Sequence, residues 1–214
     1  MAIKSNFREW TFDKIDDAFG TRQVFQNQTL DTWIDEPYTC SDYEKRYLLQ
    51  LQRTLVLGVN DWNEVELENK FISPLIVFTE IDNEHFCYFL ERELAVTIGN
   101  YDLSGKVDGM IATGFRNPRK PFFCLNEYKR QTDPDGNPQA QALIAMIAVQ
   151  HLNDVPSPIY GCYVIGKFWH FMVLEGKQYA VSKSFKSDDD EIFDVFRILK
   201  TLKARIEVQT GFAQ

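Results

Sequence analysis

The sequence lacks the features of a membrane-spanning or exported protein. No apolar run approaches the roughly 18 residues that a helix needs to cross a bilayer, and residues 1–6 lack the apolar stretch of a signal peptide. The four cysteines, at positions 40, 87, 124 and 162, form no CxxC pair. We therefore expect a cytoplasmic protein with reduced thiols, no membrane association and no zinc site.

Several catalytic signatures are also missing. The chain has no Walker loop, Rossmann glycine pattern, GxSxG elbow or HExxH motif. It has no internal repeat and no linker rich in Pro, Gly or Ser, so 214 residues are expected to form one domain. The three histidines are scattered along the chain and are expected to be structural or on the surface.

Basic residues are fewer than acidic residues in this sequence. The 23 Lys and Arg against 31 Asp and Glu give a net charge of −8, which argues against a protein that coats nucleic acid through a general positive field. Residues 1–100 hold 18 acids and 9 bases, whereas residues 101–214 hold 13 and 14. Cations crowd one stretch of the second half, at Arg116, Arg119, Lys120, Lys129 and Arg130. A local cationic groove and an ordinary solvated surface are both compatible with this distribution.

Capping and stop signals predict helices in the first part of the chain. One helix should start at Thr11 and stop at Gly20, and a longer one should start at Ser41 and end near Gly58. A third should open at Asn60 or Asp61 and run to about Pro74, where it ends or the next turn starts.

The middle of the chain changes to runs rich in aromatic and β-branched residues, which are typical of strands. Strands are predicted at 85–96, 106–112, 122–129, 159–165, 168–174 and 178–182. A dense turn signal at 132–138 precedes a buried helix at 139–152, and Asp188 to Glu191 suit the first turn of a final helix. This order predicts a mixed α/β fold with a central sheet covered by helices.

Two neighbouring predicted strands carry an unusual set of charged residues. Asp108 lies on one strand, and Glu127 and Lys129 lie on the next, after the apolar run 122–125. Side chains alternate along a strand, so Glu127 and Lys129 project from the same face. Unpaired charges in a buried strand are costly, and Asp108 with a metal ion would supply partners. A cross-strand salt bridge in an ordinary sheet is the alternative interpretation.

The chemistry of these residue types suits a divalent metal. Asp108 and Glu127 are hard oxygen ligands of the kind that Mg²⁺ prefers. Such an ion polarises a phosphoryl oxygen and lowers the pKa of bound water. Lys129 would orient or help to deprotonate that water and stabilise the pentavalent phosphate.

A further acid is expected from the predicted helix before the strands. At about 100° per residue, Val65, Leu67, Phe71 and Ile72 define an apolar arc of that helix. Glu64 and Glu68 fall inside this arc, one turn apart, so either could reach the metal. Glu66 points to the opposite side and is expected to be a solvated surface acid.

Taken together, Asp108, then Glu127 and Lys129 on the next strand, then Gln141 in the following helix, resemble the PD-(D/E)XK nuclease superfamily. The resemblance covers roughly residues 60–206 and is similar to the nuclease module of type I restriction enzyme subunits. The shared motifs are an Asn-Glu-x-Glu-Leu helix at 63–67, Val-Asp-Gly at 107–109, Glu-Tyr-Lys at 127–129 and a Gln-initiated apolar helix. Val107 stands where the name-giving Pro of the superfamily would be.

The resemblance implies a restriction-endonuclease-like fold, with a mixed central β-sheet flanked by helices and residues 1–59 as a helical N-terminal extension. It implies that Asp108 and Glu127 bind Mg²⁺ or Mn²⁺ and that Lys129 is catalytic. It also implies that Glu64 or Glu68 assists at the metal, and that Gln141 orients the site or contacts the substrate.

Three functional hypotheses follow. The leading one is metal-dependent hydrolysis of DNA phosphodiester bonds, with a restriction or defence role implied only by the resemblance. The second is a catalytically silent module of the same fold that binds nucleic acid or a protein partner, which the acidic first half favours. The third is RNA as the substrate. Sequence recognition would come from the first part of the chain, a homodimer partner or a separate specificity subunit.

Overall fold

The computed structural model describes residues 2–132, 136–153 and 156–212. Its helices are α1 (Phe12–Phe19), α2 (Gln28–Ile34), α3 (Asp42–Gly58), α4 (Glu64–Leu67), α5 (Ser73–Phe78), α6 (Pro138–Leu152) and α7 (Glu191–Thr210). A 3₁₀ turn covers Phe7–Glu9 and a π-helical turn covers Glu68–Ile72. The strands are β1 (Ile3–Asn6), β2 (Arg22–Gln23), β3 (Phe86–Ile98), β4 (Tyr101–Thr113), β5 (Arg119–Lys129), β6 (Ile159–Ile165), β7 (Phe168–Glu175), β8 (Gln178–Val181) and β9 (Phe185–Lys186).

The described residues form one mixed sheet of nine strands. Its main path runs β1-β4-β5-β6-β7-β8-β2, with β3 paired to β4 and β9 paired to β7. Strands β3, β4 and β5 are successive antiparallel neighbours, whereas β5 and β6 are parallel and are connected through α6. The sequence-based expectation of a mixed α/β fold with a central sheet flanked by helices is therefore confirmed.

Helices cover both faces of this sheet, so two hydrophobic cores form. The α6-side core joins strand residues such as Val107, Met110 and Leu125 to the helix residues Leu143 and Ile147. The α7-side core joins the other face of the sheet to α2, α3, α5 and α7, through residues that include Trp33, Leu48, Phe123, Trp169 and Phe196. Because α6 is apolar nearly all round, it is buried along most of its length.

The predicted elements of the second half agree with the structure within a few residues, but part of the first half was missed. Strands β1 and β2 and helix α2 were not predicted, although β1 and β2 join the sheet beside β4 and β8. Each is short and lacks the long alternation that identifies a strand or the periodicity that identifies a helix. The predicted turn at 132–138 includes residues 133–135, which lie outside the described residues.

The third predicted helix starts later than the sequence suggested. Asn63, rather than Asn60 or Asp61, caps it, because the Asn63 side chain accepts a hydrogen bond from the backbone of Glu66 at 2.9 Å. In the part of the chain that the structure describes, no helix is long and apolar enough to cross a membrane.

Candidate functional site

Asp108 lies in the segment 105–108 of β4, which we call the fork because the edge of β4 changes there from one partner strand to another. On one edge of β4, pairing with β1 ends at Ser104 and pairing with β5 ends at Gly109, so residues 105–108 lie between the two strands. The other edge of β4 is paired with β3. At the fork, the Asp108 carboxylate accepts a hydrogen bond from the Tyr128 backbone N–H at 2.6 Å. The Asp108 side chain thus bridges to β5 at the point where the backbone ladder between the strands has ended.

The strand is irregular at the same place. Val107 and Met110 both face the α6-side core, so strict alternation of side chains fails between them. The ladder with β3 also skips this position, since Leu90 pairs with Gly109 and Arg92 with Val107. The unpaired Glu91 has a φ of 53°, a left-handed value that is uncommon for a residue other than glycine. Glu91 forms an ion pair with Lys106. Such local strain is typical of functional sites, where surrounding contacts maintain it.

Glu127 and Lys129 lie at the end of β5 and form a buried ion pair. Alternation puts both side chains on the same face as Leu125, which is covered by α6. Glu127 is 5% exposed and Lys129 is 4% exposed. The Lys129 ammonium lies 2.9 Å from Oε1 of Glu127 and also donates to the backbone carbonyl of Tyr128 at 3.1 Å. The structure therefore brings the two β5 residues together, as predicted.

Helix α4 supplies the third acid. Oε1 of Glu64 lies 3.6 Å from Nζ of Lys129, and the Glu64 side chain remains about half exposed. The predicted apolar arc was wrong at Val65, which is 65% exposed. The other three residues of the arc, Leu67, Phe71 and Ile72, are buried, because the π-helical turn at Glu68–Ile72 rotates the last two away from the side of Val65.

A π-helical turn, Glu68–Ile72, follows directly after α4. The Ser73 N–H donates to the carbonyl of Glu68, five residues earlier. Pro74 has no N–H and its ring would clash with the carbonyl of residue 70 in a regular α-helix, and the wider turn avoids this clash. Glu68 is partly buried, and its pKa is raised first by burial and then by the negative charge of Asp108.

Both candidate helical acids therefore lie near the site, in different positions. Glu64 contacts Lys129, whereas Glu68 lies within electrostatic reach of Asp108. Glu66 belongs to neither group, because it pairs with Lys70 at 2.7 Å and completes the Asn63 capping box.

Gln141 lies in the first turn of α6 and is 5% exposed. Its side-chain amide approaches Gly136, where a Cβ atom would lie 2.8 Å from Nε2. Among the hydrogen bonds between described residues, none joins the Gln141 side chain to Asp108, Glu127 or Lys129. Gln141 thus lies on the helix that covers the site but is not part of its hydrogen-bonded group.

The acids of the site destabilise one another as anions. Burial and the nearby Asp108 raise the pKa of Glu127 to about 7, although Lys129 opposes the rise. Burial also raises the pKa of Asp108, and the charge of Glu64 adds to this rise. Burial alone would lower the pKa of Lys129, but Glu127, Asp108 and Glu64 outweigh it and raise the pKa. One ammonium is therefore shared among three carboxylates.

Polar side chains of β3, β4, β5 and β6 form hydrogen bonds next to the site, beside Gly109 and on the opposite face of β5. The hydroxyls of Tyr88 and Tyr128 are hydrogen bonded at 2.6 Å. A Cβ on Gly109 would lie 2.6 Å from the Tyr88 hydroxyl and 3.0 Å from that of Tyr128, so only glycine fits beside Asp108. Asn126 accepts hydrogen bonds from the thiols of Cys124 and Cys162 on the same buried face.

Arg8 also acts on the site, although it was not among the residues predicted from the sequence. The turn Phe7–Glu9 contacts both β4 and α6, and the charge of Arg8 acts on Asp108 and Glu127. No motif marks this residue, since it lies about one hundred positions from Asp108 and enters the site only through the pairing of β1 with β4. Its one sequence signal is a basic residue in a strongly acidic half of the chain.

Internal ion pairs neutralise several lysines of the second half of the chain, where a cationic groove and an ordinary solvated surface were both compatible with the sequence. Lys167 bonds to Asp188 at 2.6 Å and Lys183 to Glu191 at 3.1 Å, while Lys129 is buried with Glu127. Exposed cations remain at Arg116 and Arg119, in and beside the loop between β4 and β5, together with the exposed Phe115.

The residues present are compatible with a hard divalent ion. Over the described ranges, no group of three or more His, Cys, Asp or Glu side chains is arranged to hold a metal ion. Mg²⁺ does not require such a cage, because it is usually held by one or two carboxylates, waters and substrate phosphates. Asp108 and Glu127 provide two carboxylates on neighbouring strands, and their raised pKa values show that a cation would stabilise them. The donor set therefore fits Mg²⁺ or Mn²⁺ and contains no soft ligand.

Comparison of the chain with protein-family models and with curated proteins found no match. The interpretation of the site therefore depends on its own geometry and electrostatics.

Proposed function

We propose that this protein is a nuclease that hydrolyses DNA phosphodiester bonds with Mg²⁺ or Mn²⁺, on a restriction-endonuclease-like fold. The observation that carries the proposal is the grouping of Asp108, Glu127 and Lys129 at the fork between β4 and β5. A structural ion pair would require only one acid for one ammonium, whereas this group has an excess of buried negative charge. Such an excess is typical of a site that receives a cation.

The order of the site residues along the chain also supports the proposal. Asp108 lies on one strand, Glu127 and Lys129 lie on its antiparallel neighbour, and Gln141 lies in the helix that follows. This is the arrangement that the resemblance to the PD-(D/E)XK superfamily implied. A restriction or defence role depends on that resemblance alone, and target recognition would come from the first part of the chain, a second copy or a separate subunit.

Each residue has a distinct role in this proposal. Asp108 and Glu127 would hold the metal, and Glu64 would assist from its position beside Lys129. When bound, the metal would polarise a phosphoryl oxygen and acidify a water molecule. Lys129 would donate a hydrogen bond to the attacking water and stabilise the negative charge of the pentavalent phosphate. The Tyr128 N–H fixes the direction of the Asp108 carboxylate, and the hydroxyl pair under Gly109 supports the strand from below.

A second candidate function is a catalytically silent module of the same fold that binds nucleic acid or a protein partner. The observation that favours it is that Lys129 already neutralises Glu127 at 2.9 Å. The net charge of −8 also gives such a module an acidic surface for a partner.

A cleavage assay separates the two candidates. Plasmid, single-stranded DNA and RNA are incubated with the protein and Mg²⁺ or Mn²⁺, beside an EDTA control. Lys129→Met keeps the buried stem of the lysine but removes its charge, and we expect the rate to fall by about 100-fold or more, the scale seen when one donor to a developing oxyanion is removed. The matched control is Lys183→Met, which removes an exposed lysine paired with Glu191 away from the fork.

The outcomes have clear meanings. Metal-dependent cleavage that is lost in Lys129→Met and kept in Lys183→Met supports the nuclease. Cleavage that survives Lys129→Met contradicts the catalytic assignment. Absence of cleavage of any substrate with either metal favours the silent module.

A further inference from the structure

The N-terminal segment fixes Arg8 at the fork. Asn6 pairs with Ser104 in the ladder of β1 and β4, and its side chain accepts the backbone N–H of Arg8 at 3.1 Å. Phe7 is buried against Gly105, where a Cβ atom would lie 2.4 Å from the ring. Gly105 is the first residue of the segment 105–108, in which β4 pairs with neither β1 nor β5 and which ends at Asp108. The two residues before Arg8 therefore hold its backbone beside the candidate site.

The Arg8 side chain is exposed to solvent. Within the described residues, its guanidinium forms no ion pair and no side-chain hydrogen bond. Burial raises the pKa of Asp108 and that of Glu127, and in both cases the positive charge of Arg8 opposes the rise. The guanidinium thus lies within electrostatic reach of both acids while its donors remain available.

A further cation is needed to balance the charge of a phosphate bound at the proposed site. The three negative charges of Asp108, Glu127 and Glu64 would be balanced by a divalent ion and Lys129, so the occupied site would be neutral. A phosphodiester brings one negative charge, and the pentavalent transition state brings another. A guanidinium offers five donors in a planar fork that matches phosphate oxygens in pairs, which makes arginine well suited to this task.

We infer that Arg8 binds the substrate phosphate at the fork, as a residue of the binding site contributed by the N-terminal turn. The inference rests on the proposed nuclease function. It differs from a purely electrostatic role, in which Arg8 would only screen the acids. If Arg8 only screens the acids, its removal should strengthen metal binding and leave phosphate binding unchanged. If Arg8 binds the phosphate, its removal should weaken phosphate binding.

Oligonucleotide binding can be measured without cleavage. We would follow the fluorescence anisotropy of a labelled 12-nucleotide duplex with Ca²⁺ in place of Mg²⁺, since Ca²⁺ takes the same oxygen ligands in a looser geometry. Arg8→Gln should weaken binding about tenfold or more, and Arg8→Lys should retain part of the affinity. Losing one phosphate contact should also make the slope of log K against log salt shallower by about 0.9. The matched control is Arg22→Gln, an exposed arginine of β2 at the far edge of the sheet.

The results distinguish this inference from the function on which it rests. Equal duplex affinity in wild type and Arg8→Gln overturns the role of Arg8, even if the wild type cleaves DNA. The same holds if calorimetry without DNA shows tighter Ca²⁺ binding in Arg8→Gln and duplex affinity does not change. A wild type that binds through Arg8 but does not cleave with Mg²⁺ retains the inference and contradicts the nuclease. A wild type that binds no duplex contradicts both.

Discussion

At the scale of single residues, Glu127 shows how burial and charge conflict in the candidate site. It is almost fully buried next to one cation and near a second carboxylate, and its pKa is raised to about 7. A pKa above the ordinary value means that the folded protein holds a proton that the unfolded chain has already released. The folded state is therefore disfavoured as pH rises from about 4.5 to about 7.

This conflict predicts a pH-dependent effect of Glu127→Gln in the absence of divalent metal. The variant cannot ionise at this position, so its free energy of unfolding relative to wild type should increase as pH rises through the window from 4.5 to 7. Since one pKa unit corresponds to about 1.4 kcal/mol, we expect a relative gain of about 1–3 kcal/mol. Urea denaturation of both proteins at several pH values measures it. A difference that stays constant between pH 5 and pH 8 would show that Glu127 ionises normally.

At the scale of elements, the capped first turns of the helical segment 63–78 bring two acids to the site. The Asn63 capping box fixes its first turn, from which Glu64 reaches Lys129. Glu68, one α-helical turn later, lies within electrostatic reach of Asp108. Two acids four residues apart thus approach different parts of the same site.

The caps of α4 and α3 offer a matched pair for testing this point. Asn63→Ala and Ser41→Ala each remove a capping box of the same design, and each should lower the free energy of unfolding by about 1 kcal/mol. Only Asn63→Ala should also reduce metal-dependent cleavage, by about threefold or more, because it loosens the turn that carries Glu64. Thermal melts and initial cleavage rates measure the two effects. Equal cleavage by the two variants would mean that the first turn of α4 does not contribute to the reaction.

At the scale of the whole molecule, the proposed substrate, DNA, and the protein both carry a net negative charge. The net charge of −8 repels DNA at long range, and several lysines of the second half are paired internally. Attraction must therefore come from a few contacts at the fork together with a divalent ion. This differs from proteins that bind DNA through an extended cationic face.

We therefore expect the affinity of the protein for duplex DNA to depend only weakly on salt concentration. With Lys129 and Arg8 as the cations that meet phosphate, the slope of log K against log salt should be about −1 to −2, since each contact contributes about −0.9. Duplex binding measured with Ca²⁺ between 50 and 200 mM KCl tests this. A slope steeper than about −4 would instead indicate a wider cationic surface, for which Arg116 and Arg119 beside the β4–β5 loop are the first candidates.

The central strands and α6 could be predicted because their sequence signals are local. Aromatic and β-branched runs define β3, β4 and β5, and an apolar sequence defines α6. The pairing of Glu127 with Lys129 followed from alternation along a single strand. By contrast, the position of Val65 was wrong, since a uniform helical period does not anticipate a π-helical turn.

The sequence by itself determined the mixed α/β class, the strands that carry Asp108, Glu127 and Lys129, and the shared face of the last two. Their chemistry depends on residue type and on spacing along one strand, which are local properties. Only the tertiary structure decided that β4 and β5 separate at Asp108, that Glu64 contacts Lys129, and that Arg8 lies at the fork. These relations join segments that are tens of residues apart, and they are fixed by strand pairing and core packing, for which no short stretch of sequence contains the information.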